Sequence, residues 1–173
     1  MNDFSKLLGP YAQRLGNMIA RGKVLLVNSA TKMQSLQIGL LAGERKDRVE
    51  HFEPFGLTSK ALPGAEHVTL FLDGDRSHGI TVVVSDRRYR LQGLQDGEVA
   101  LYDAFGNRVH LKADGTLDVV ASSKVQITSP LVTITGDLQV TGTITGGTDV
   151  VAGGKSLKSH THPNGTPNTA APN

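Results

Sequence analysis

The sequence predicts an all-β protein in which a small barrel is followed by a thin shaft built from three copies of the chain. Two features of its 173 residues lead to this fold class. The aromatic residues, five Phe and three Tyr, all lie before residue 106, and short pairs of aliphatic residues recur at regular steps after residue 116. A segment without large side chains buries little apolar surface by itself. The chain is therefore not expected to form one uniform globule.

The composition excludes several classes of protein. The absence of Cys excludes disulfide frameworks, zinc–thiolate sites and thiol nucleophiles. No apolar run approaches the roughly 20 residues of a membrane span, and the N-terminal residues show no signal-peptide pattern. With 18 Lys and Arg against 16 Asp and Glu, the net charge of +2 is too balanced for a strong nucleic-acid field.

Residues 1–21 are predicted to form a helical segment. Apolar side chains recur there at three- and four-residue steps, which is the spacing of one helix face; they are Phe4, Leu7, Leu8, Tyr11, Leu15, Met18 and Ile19. Because Gly9-Pro10 interrupts this pattern, the prediction is a helix over 10–20 that begins at the proline. Its apolar face is expected to pack on the following domain, with docking to a partner protein as the alternative.

Residues 22–97 are predicted to form a small barrel of about five short strands, for which the OB-fold is a common example. Turn residues separate the β-prone runs, which lie at 24–27, 36–40, 67–72 and 80–84. Pro63-Gly64 and Asp73-Gly74-Asp75 supply the strongest turn signals.

Residues 98–152 are predicted to form the shaft. Hairpin-like turns at 102–107 and 114–115 open the segment. Aliphatic residues then occur in pairs two positions apart, so that each pair lies on one face of a short strand. The pairs are Leu117/Val119, Val125/Ile127, Val132/Ile134 and Leu138/Val140, followed by Ile144 and Val150.

So few apolar side chains cannot offset an ordering cost of about 1–2 kcal/mol per residue within one chain. Three or more identical chains wound about an axis would combine their apolar stripes into one core and cover the exposed strand edges. The alternative is a disordered linker rich in Gly and Thr, which the regular alternation disfavours. The sequence therefore predicts trimerisation.

Residues 153–173 are rich in proline and carry His160 and His162. In an extended chain, residues two apart point to the same face, and neutral imidazole is the commonest metal ligand in proteins. Two ligands do not close a site, but three chains on a shared axis supply six imidazoles. Such a set suits octahedral Fe(II), Co(II) or Ni(II) better than tetrahedral Zn(II). We therefore expect both histidines to bind a structural metal ion.

Four passages carry a family resemblance, and they cover the chain at least from residue 63 to its end. They are PGAEHVTLFLDGDRSHGITVVVSDRRYRLQGLQDGEVALYD, GEVALYDAFGNRVHLKADGTLDV, the Thr/Val repeats and SHTHPNGTPN. In this order they resemble the central spike of contractile phage tails, the Mu-like baseplate assembly protein V family. They are similar more distantly to the spikes of type VI secretion systems.

The resemblance implies a homotrimer with an OB-fold-like barrel, an intertwined triple-stranded β-helix and a pointed apex. It also implies that His160 and His162 of three chains bind one iron ion per trimer, with calcium and chloride near the apex at ligands that no motif identifies. The implied partners are baseplate hub and tail tube proteins, and the implied target is the host outer membrane. Assembly in the host cytoplasm would precede incorporation into the virion tail baseplate. The lysozyme domain of some relatives has no counterpart here.

The predicted function is therefore mechanical. Sheath contraction would drive a trimeric needle through the host bacterial outer membrane, with no enzymatic activity, catalytic residue or small-molecule substrate. The alternative is a trimeric β-helical tail fibre or adhesin that binds cell-surface glycan. Scattered carboxylates and an aromatic-free shaft disfavour glycan hydrolysis and stacking.

Three other groups of residues receive structural interpretations. The cluster Arg87-Arg88-Tyr89-Arg90 resembles a single-strand nucleic-acid site, but the balanced charge favours a solvated strand end or a hub contact. Asp73, Asp75 and His78 are interpreted as turn residues rather than as a metal site. His51, His67 and His110 have no partner visible in the sequence and are assigned structural roles.

Overall fold

The computed structural model describes residues 3–160, apart from the side chains of residues 3–7 and 42. The chain divides between Val125 and Gln126 into two compact units. Within the described residues, the first unit contains one α-helix and eight β-strands, and the second contains two short strands. The fold is therefore mostly β, as the sequence predicts.

In the described residues, the elements run in the order helix, barrel, three-stranded sheet and short hairpin. The helix α1 (Asp3–Asn17) precedes the barrel strands β1 (Ile19–Asn28), β2 (Gln34–Gly39), β3 (Arg45–His51), β4 (Glu66–Phe71) and β5 (Gly79–Ser85). An antiparallel three-stranded sheet follows, made of β6 (Val99–Tyr102), β7 (Arg108–Leu111) and β8 (Leu117–Val120). The second unit holds the hairpin of β9 (Val151–Ala152) and β10 (Lys155–Ser156).

The first five strands close into a barrel with the order β1-β2-β3-β5-β4. The long strand β1 pairs with β4 through its first half and with β2 through its second half. Strands β3 and β5 complete the closure in parallel, with Glu50 opposite Ile80 and His51 opposite Thr81. Such a five-stranded Greek-key barrel is the architecture of the OB-fold, so the predicted barrel is confirmed.

The barrel core consists of aliphatic residues on β1, β2 and β3, together with Ala65 and Phe71. These residues are at most 9% exposed: Val24, Val27, Leu36, Ile38, Val49, Ala65 and Phe71. The four predicted β-prone runs fall on β1, β2, β4 and β5. The sequence did not predict β3, because five of its seven residues are charged and only Val49 is aliphatic.

The helix differs at both ends from the prediction of 10–20. It begins at Asp3, and Pro10 lies inside it, where the proline removes one backbone hydrogen bond without ending the helix. Ile19 and Ala20 belong instead to β1, where they lie opposite Leu70 and Thr69 of β4. Closing the barrel provides these two residues with ladder hydrogen bonds, and this outweighs the helical spacing of the local sequence.

A polar layer crosses the barrel interior. His67 and Thr69 on β4 and Thr81 on β5 are at most 1% exposed. Hydrogen bonds join His67 Nδ1 to Thr69 Oγ1 at 2.9 Å and Thr69 Oγ1 to Thr81 Oγ1 at 2.8 Å. Within the described structure, His51 Nδ1 and His67 Nε2 are buried without a hydrogen bond of normal geometry. Both histidines are therefore structural core residues with incompletely satisfied rings.

The buried histidines predict that the barrel loses stability as the pH falls below 6.5. Burial lowers the pKa of His51, and the nearby charge of Glu53 partly opposes this shift. Burial also lowers the pKa of His67, and the Gly39 carbonyl partly opposes that shift. Since the unfolded histidines titrate near 6.5, the unfolded state binds more protons below that pH, and the free energy of unfolding decreases. Urea unfolding at about pH 7.5 and about pH 5 measures this decrease. The variant His67→Gln should lose less unfolding free energy between these two pH values. An equal loss would contradict the assignment of the pH dependence to the buried His67.

Candidate functional site

One face of the three-stranded sheet is apolar and exposed. The register of β6, β7 and β8 places six aliphatic residues on this meander face: Val99, Leu101, Val109, Leu111, Leu117 and Val119. Five of them are 50–61% exposed, and Val109 is half-buried. The opposite face carries His110 and Asp118 in one row and Tyr102 and Arg108 in the next. Side chains that are apolar on one face only indicate a sheet that packs against something else.

The apolar exposure continues along the shaft. Between β8 and β9, the described chain forms no strand ladder. Its paired aliphatic residues, the shaft stripe, are 39–69% exposed: Val125, Ile127, Val132, Ile134, Leu138, Val140, Ile144 and Val150. The periodic pattern predicted from the sequence is therefore not buried by the described part of this chain.

The tip hairpin, residues 149–160, ends the described chain. Its turn consists of Gly153 and Gly154, whose φ angles are 56° and 78°. A two-residue type I′ turn requires positive φ at both central positions, which Gly adopts without strain. The amide of Leu157 donates to the Val150 carbonyl at 2.9 Å and extends the pairing beyond β9 and β10.

The carboxylate of Asp149 closes the base of the tip hairpin. Its Oδ1 accepts hydrogen bonds from the amide of Val150 at 2.8 Å and from that of Lys158 at 3.3 Å. The Ser156 hydroxyl, followed by these two amides, lowers the pKa of the Asp149 carboxyl group. One side chain thus connects the start of the hairpin with the residues that follow it.

His160 follows this closed turn directly. Ser156 Oγ accepts hydrogen bonds from Ser159 N at 3.0 Å and from Ser159 Oγ at 2.9 Å. His160 Nδ1 lies 3.1 Å from the Leu157 carbonyl oxygen, which can only accept, so Nδ1 is the protonated nitrogen of this pair. His162 lies outside the described residues, and within residues 3–160 no group of three or more His, Asp or Glu side chains could hold a metal ion.

Comparison with known proteins identifies the family. The family model "Bacteriophage Mu Gp45, N-terminal" matches residues 21–88, a range that contains the barrel strands except for the first two residues of β1. The chain is 34% identical to the "Baseplate puncturing device gp45" of Escherichia phage Mu, over 97% of this chain and 94% of that protein. The chain belongs to the phage Mu gp45 family. It is also 33% identical to the "Mu-like prophage FluMu protein gp45" of Haemophilus influenzae, over 94% of this chain and 95% of that protein.

Membership of the Mu gp45 family confirms three predictions. The chain is a structural protein rather than an enzyme, it acts as a phage baseplate spike, and its location is the virion tail baseplate. Among the described residues, no helix combines the length and the apolar character that a membrane crossing requires.

In this Mu gp45 family member, the arginine cluster is held by ion pairs within the barrel. Arg87 Nε lies 2.6 Å from Glu66 Oε1, and Arg88 Nη2 lies 2.6 Å from Asp86 Oδ2. Arg88 also donates to the Pro63 carbonyl at 3.0 Å and lies 5.3 Å from the ring centre of Tyr89. These contacts support the structural interpretation of the cluster over a nucleic-acid site.

The acidic turn between β4 and β5 is also structural. Asp75 Oδ1 accepts hydrogen bonds from Ser77 N at 2.8 Å and from Ser77 Oγ at 2.7 Å, which lowers the pKa of Asp75. His78 Nδ1 lies 3.5 Å from Asp75 Oδ2, and Asp73 Oδ2 lies 3.5 Å from Arg14 Nη1. The interpretation of Asp73, Asp75 and His78 as turn residues is therefore supported.

His110 also has a partner that the sequence did not indicate. His110 Nε2 lies 3.0 Å from Glu98 Oε2, and both side chains are largely buried. Glu98 also accepts hydrogen bonds from the amides of Gln95 and Ala113 at 2.9 and 3.0 Å, and these amides lower its pKa. A hairpin centred on 103–107 places Glu98 opposite Lys112, on the same face as His110, so the register alone could have indicated the pair.

Proposed function

We propose that the chain forms a homotrimeric central spike that pierces the host outer membrane when the tail sheath contracts. The observation that carries this proposal is the exposed shaft stripe together with the meander face. In the proposed trimer, these surfaces from three chains form one core, and residues 98–152 become an intertwined triple-stranded β-helix.

The energetics favour association of these surfaces. Full burial of one Val, Leu or Ile side chain contributes about 1.5–3 kcal/mol, and the aliphatic residues of the shaft stripe are 39–69% exposed in the single chain. Moving each one into a shared core therefore contributes roughly 1 kcal/mol per side chain. This gain favours association of the three chains, because the segment has no ladder of its own within the described residues.

The backbone of the shaft segment also favours association of several chains. Backbone amides and carbonyls removed from water need hydrogen-bond partners, and the described residues between β8 and β9 form no ladder. Neighbouring chains in a triple-stranded helix would supply these partners and leave few free edges. Thr, Ser and Gly between the aliphatic pairs would then form the outer surface, which has little apolar area to adhere to lipid.

The proposal includes a structural metal ion at the tip, which the tautomer of His160 supports. Because Nδ1 of His160 is the protonated nitrogen toward the Leu157 carbonyl, Nε2 carries the lone pair that ligates metals, an arrangement typical of metal-binding histidines. In our proposal, His160 and His162 of three chains hold one iron ion per trimer. When bound, the ion would link three chain ends, and six filled positions would leave no place for a substrate.

Elemental analysis of the purified protein is expected to find about one iron per three chains. His160→Ala removes three of the six proposed ligands and should abolish iron binding and lower the thermal midpoint. His78→Ala is the matched control, since His78 is exposed in the β4–β5 turn. Zinc in place of iron, or an unchanged iron content in His160→Ala, would contradict the proposed metal site.

The partners follow from the family. The relative in phage Mu is a baseplate puncturing device, and a spike must be held by the structure that drives it. We therefore include in the proposal an association with other baseplate components, namely the hub and tail tube proteins.

A further inference from the structure

The apolar face of α1 is exposed. Leu8, Tyr11 and Leu15 follow one another at steps of three and four residues, and they are 46%, 63% and 70% exposed. The expectation that this face packs on the barrel is therefore wrong for its described side chains. Apolar residues in such a row on a helix are usually covered in the assembled protein.

The helix is attached to the barrel at its C-terminal end. The Phe71 amide donates to the Met18 carbonyl at 2.7 Å, and Arg14 forms an ion pair with Asp73 at 3.5 Å. Gly74, with a φ angle of 70°, lies so close to the Arg14 backbone that a side chain would overlap it. These contacts orient α1 while they leave its row of apolar side chains uncovered.

The exposed row continues onto the barrel. Ile19 and Leu41 are 65% and 85% exposed, and together with Leu8, Tyr11 and Leu15 we call these residues the helix patch. A groove beside the end of α1 is lined by both of them and by Leu25 and Leu40. Ile19 and Leu41 thus belong both to the helix patch and to the lining of this groove.

The rim of this groove is positively charged. Arg21, Lys23 and Arg76 line it, with Glu66 as the one carboxylate among its described lining residues. Glu66 pairs with both Arg21 and Arg87, and Glu44 pairs with both Arg76 and Lys46. Each carboxylate is thus shared by two cations, and the rim with Lys23 keeps a net positive charge. An occupant of this surface therefore needs an apolar surface and acidic residues around it.

We propose that the helix patch and its groove form the docking surface for a different protein of the baseplate, one with an apolar groove and an acidic rim. A second copy of the chain would bring the same basic rim and would be repelled. An amphipathic helix in a partner's groove is a common mode of recognition. The proposal depends on the baseplate location and not on trimerisation of the shaft.

Photo-crosslinking in intact virions tests the identity of the occupant. The chain carrying Tyr11→p-benzoylphenylalanine would be supplied to a phage whose own gene is deleted, and purified virions would be irradiated. We expect a crosslink to another baseplate protein, identified by mass spectrometry, with a yield about tenfold above that of the same substitution at Gln13 on the opposite helix face. A crosslink between two copies of the chain, equal yields at both positions, or no crosslink at all would overturn the proposal.

Substitutions test the contribution of the helix patch and the rim. Leu8→Ser combined with Leu15→Ser, and separately Lys23→Glu, should each reduce the copies of the chain per virion by about tenfold. Gln13→Ser and Lys60→Glu are the matched controls and should leave incorporation unchanged. The purified variants should keep the oligomeric state and thermal midpoint of the wild type. Normal incorporation of the double variant, or loss of its oligomeric state, would overturn the proposal, whereas a monomeric wild type would contradict only the trimeric shaft.

Discussion

Replacing Ile134 by aspartate is expected to convert the proposed trimer into monomers. Ile134 belongs to the shaft stripe and is 57% exposed in the single chain, so in the proposed trimer three copies meet near one axis. Each Ile134→Asp change removes roughly 1 kcal/mol of apolar burial from the trimer interface and places a carboxylate where desolvation costs several kcal/mol. Three such changes amount to roughly 10 kcal/mol or more per trimer. Sedimentation velocity measures the resulting loss of mass.

Thr135→Asp is the control for this experiment. Thr135 is the next residue along the chain, and neighbouring side chains in an extended strand point to opposite faces. The same charge should therefore lie on the outer surface of the trimer and leave its mass unchanged. Dissociation by both substitutions, or by neither, would contradict the placement of the shaft stripe at the axis.

Gly22→Ala is expected to destabilise the barrel by about 3 kcal/mol or more, since overpacking against backbone is hard to relieve. A Cβ at Gly22 would overlap the Gly39 carbonyl oxygen and would lie 2.8 Å from Nε2 of the buried His67. The carbonyl is fixed by the pairing of β1 with β2, so relief requires separation of the two strands. Urea unfolding of the barrel transition measures the change in the free energy of unfolding.

Gly39→Ala provides the comparison within the same strand pair. A Cβ at Gly39 would lie 3.5 Å from the Leu25 methyl groups, which is an ordinary van der Waals distance. We expect its effect to stay within about 1 kcal/mol. Comparable losses of unfolding free energy in the two variants would show that the close approach at Gly22 is not what makes an alanine there destabilising.

The barrel strands that could be predicted from the sequence are those with a clear pattern of apolar residues. In β2, β4 and β5 aliphatic residues alternate or cluster, and their turns carry Gly, Asp and Asn. Strand β3 has one aliphatic residue, Val49, and it is recognised only through its pairing with β2 and β5. Long-range pairing of this kind leaves no local signal, because the partner strand and not the side chains determines the extended backbone.

The ends of α1 could not be predicted for a related reason. Pro10 is a strong local signal, but it costs only one hydrogen bond inside the helix. The assignment of Ile19 and Ala20 to β1 depends on residues of β4 that lie about 50 positions away. The boundary between α1 and β1 is therefore set by the pairing of β1 with β4 in the closed barrel.

For the shaft, the sequence carries a clear pattern that the structure of the single chain does not explain. Its period of paired aliphatic residues is plain in the sequence, whereas the single chain leaves the shaft stripe exposed. The missing information is the partner chain, which neither the local pattern nor one chain contains. At the tip, the sequence indicated His160, and the structure adds the Leu157 carbonyl that selects its protonated nitrogen.

Native mass spectrometry of the purified protein measures its oligomeric state and its metal content together. We expect a single species with three times the 18.4 kDa mass of the chain, plus the mass of one iron ion that is lost on acidification. A species of 18.4 kDa as the main form at micromolar concentration would contradict the trimeric spike.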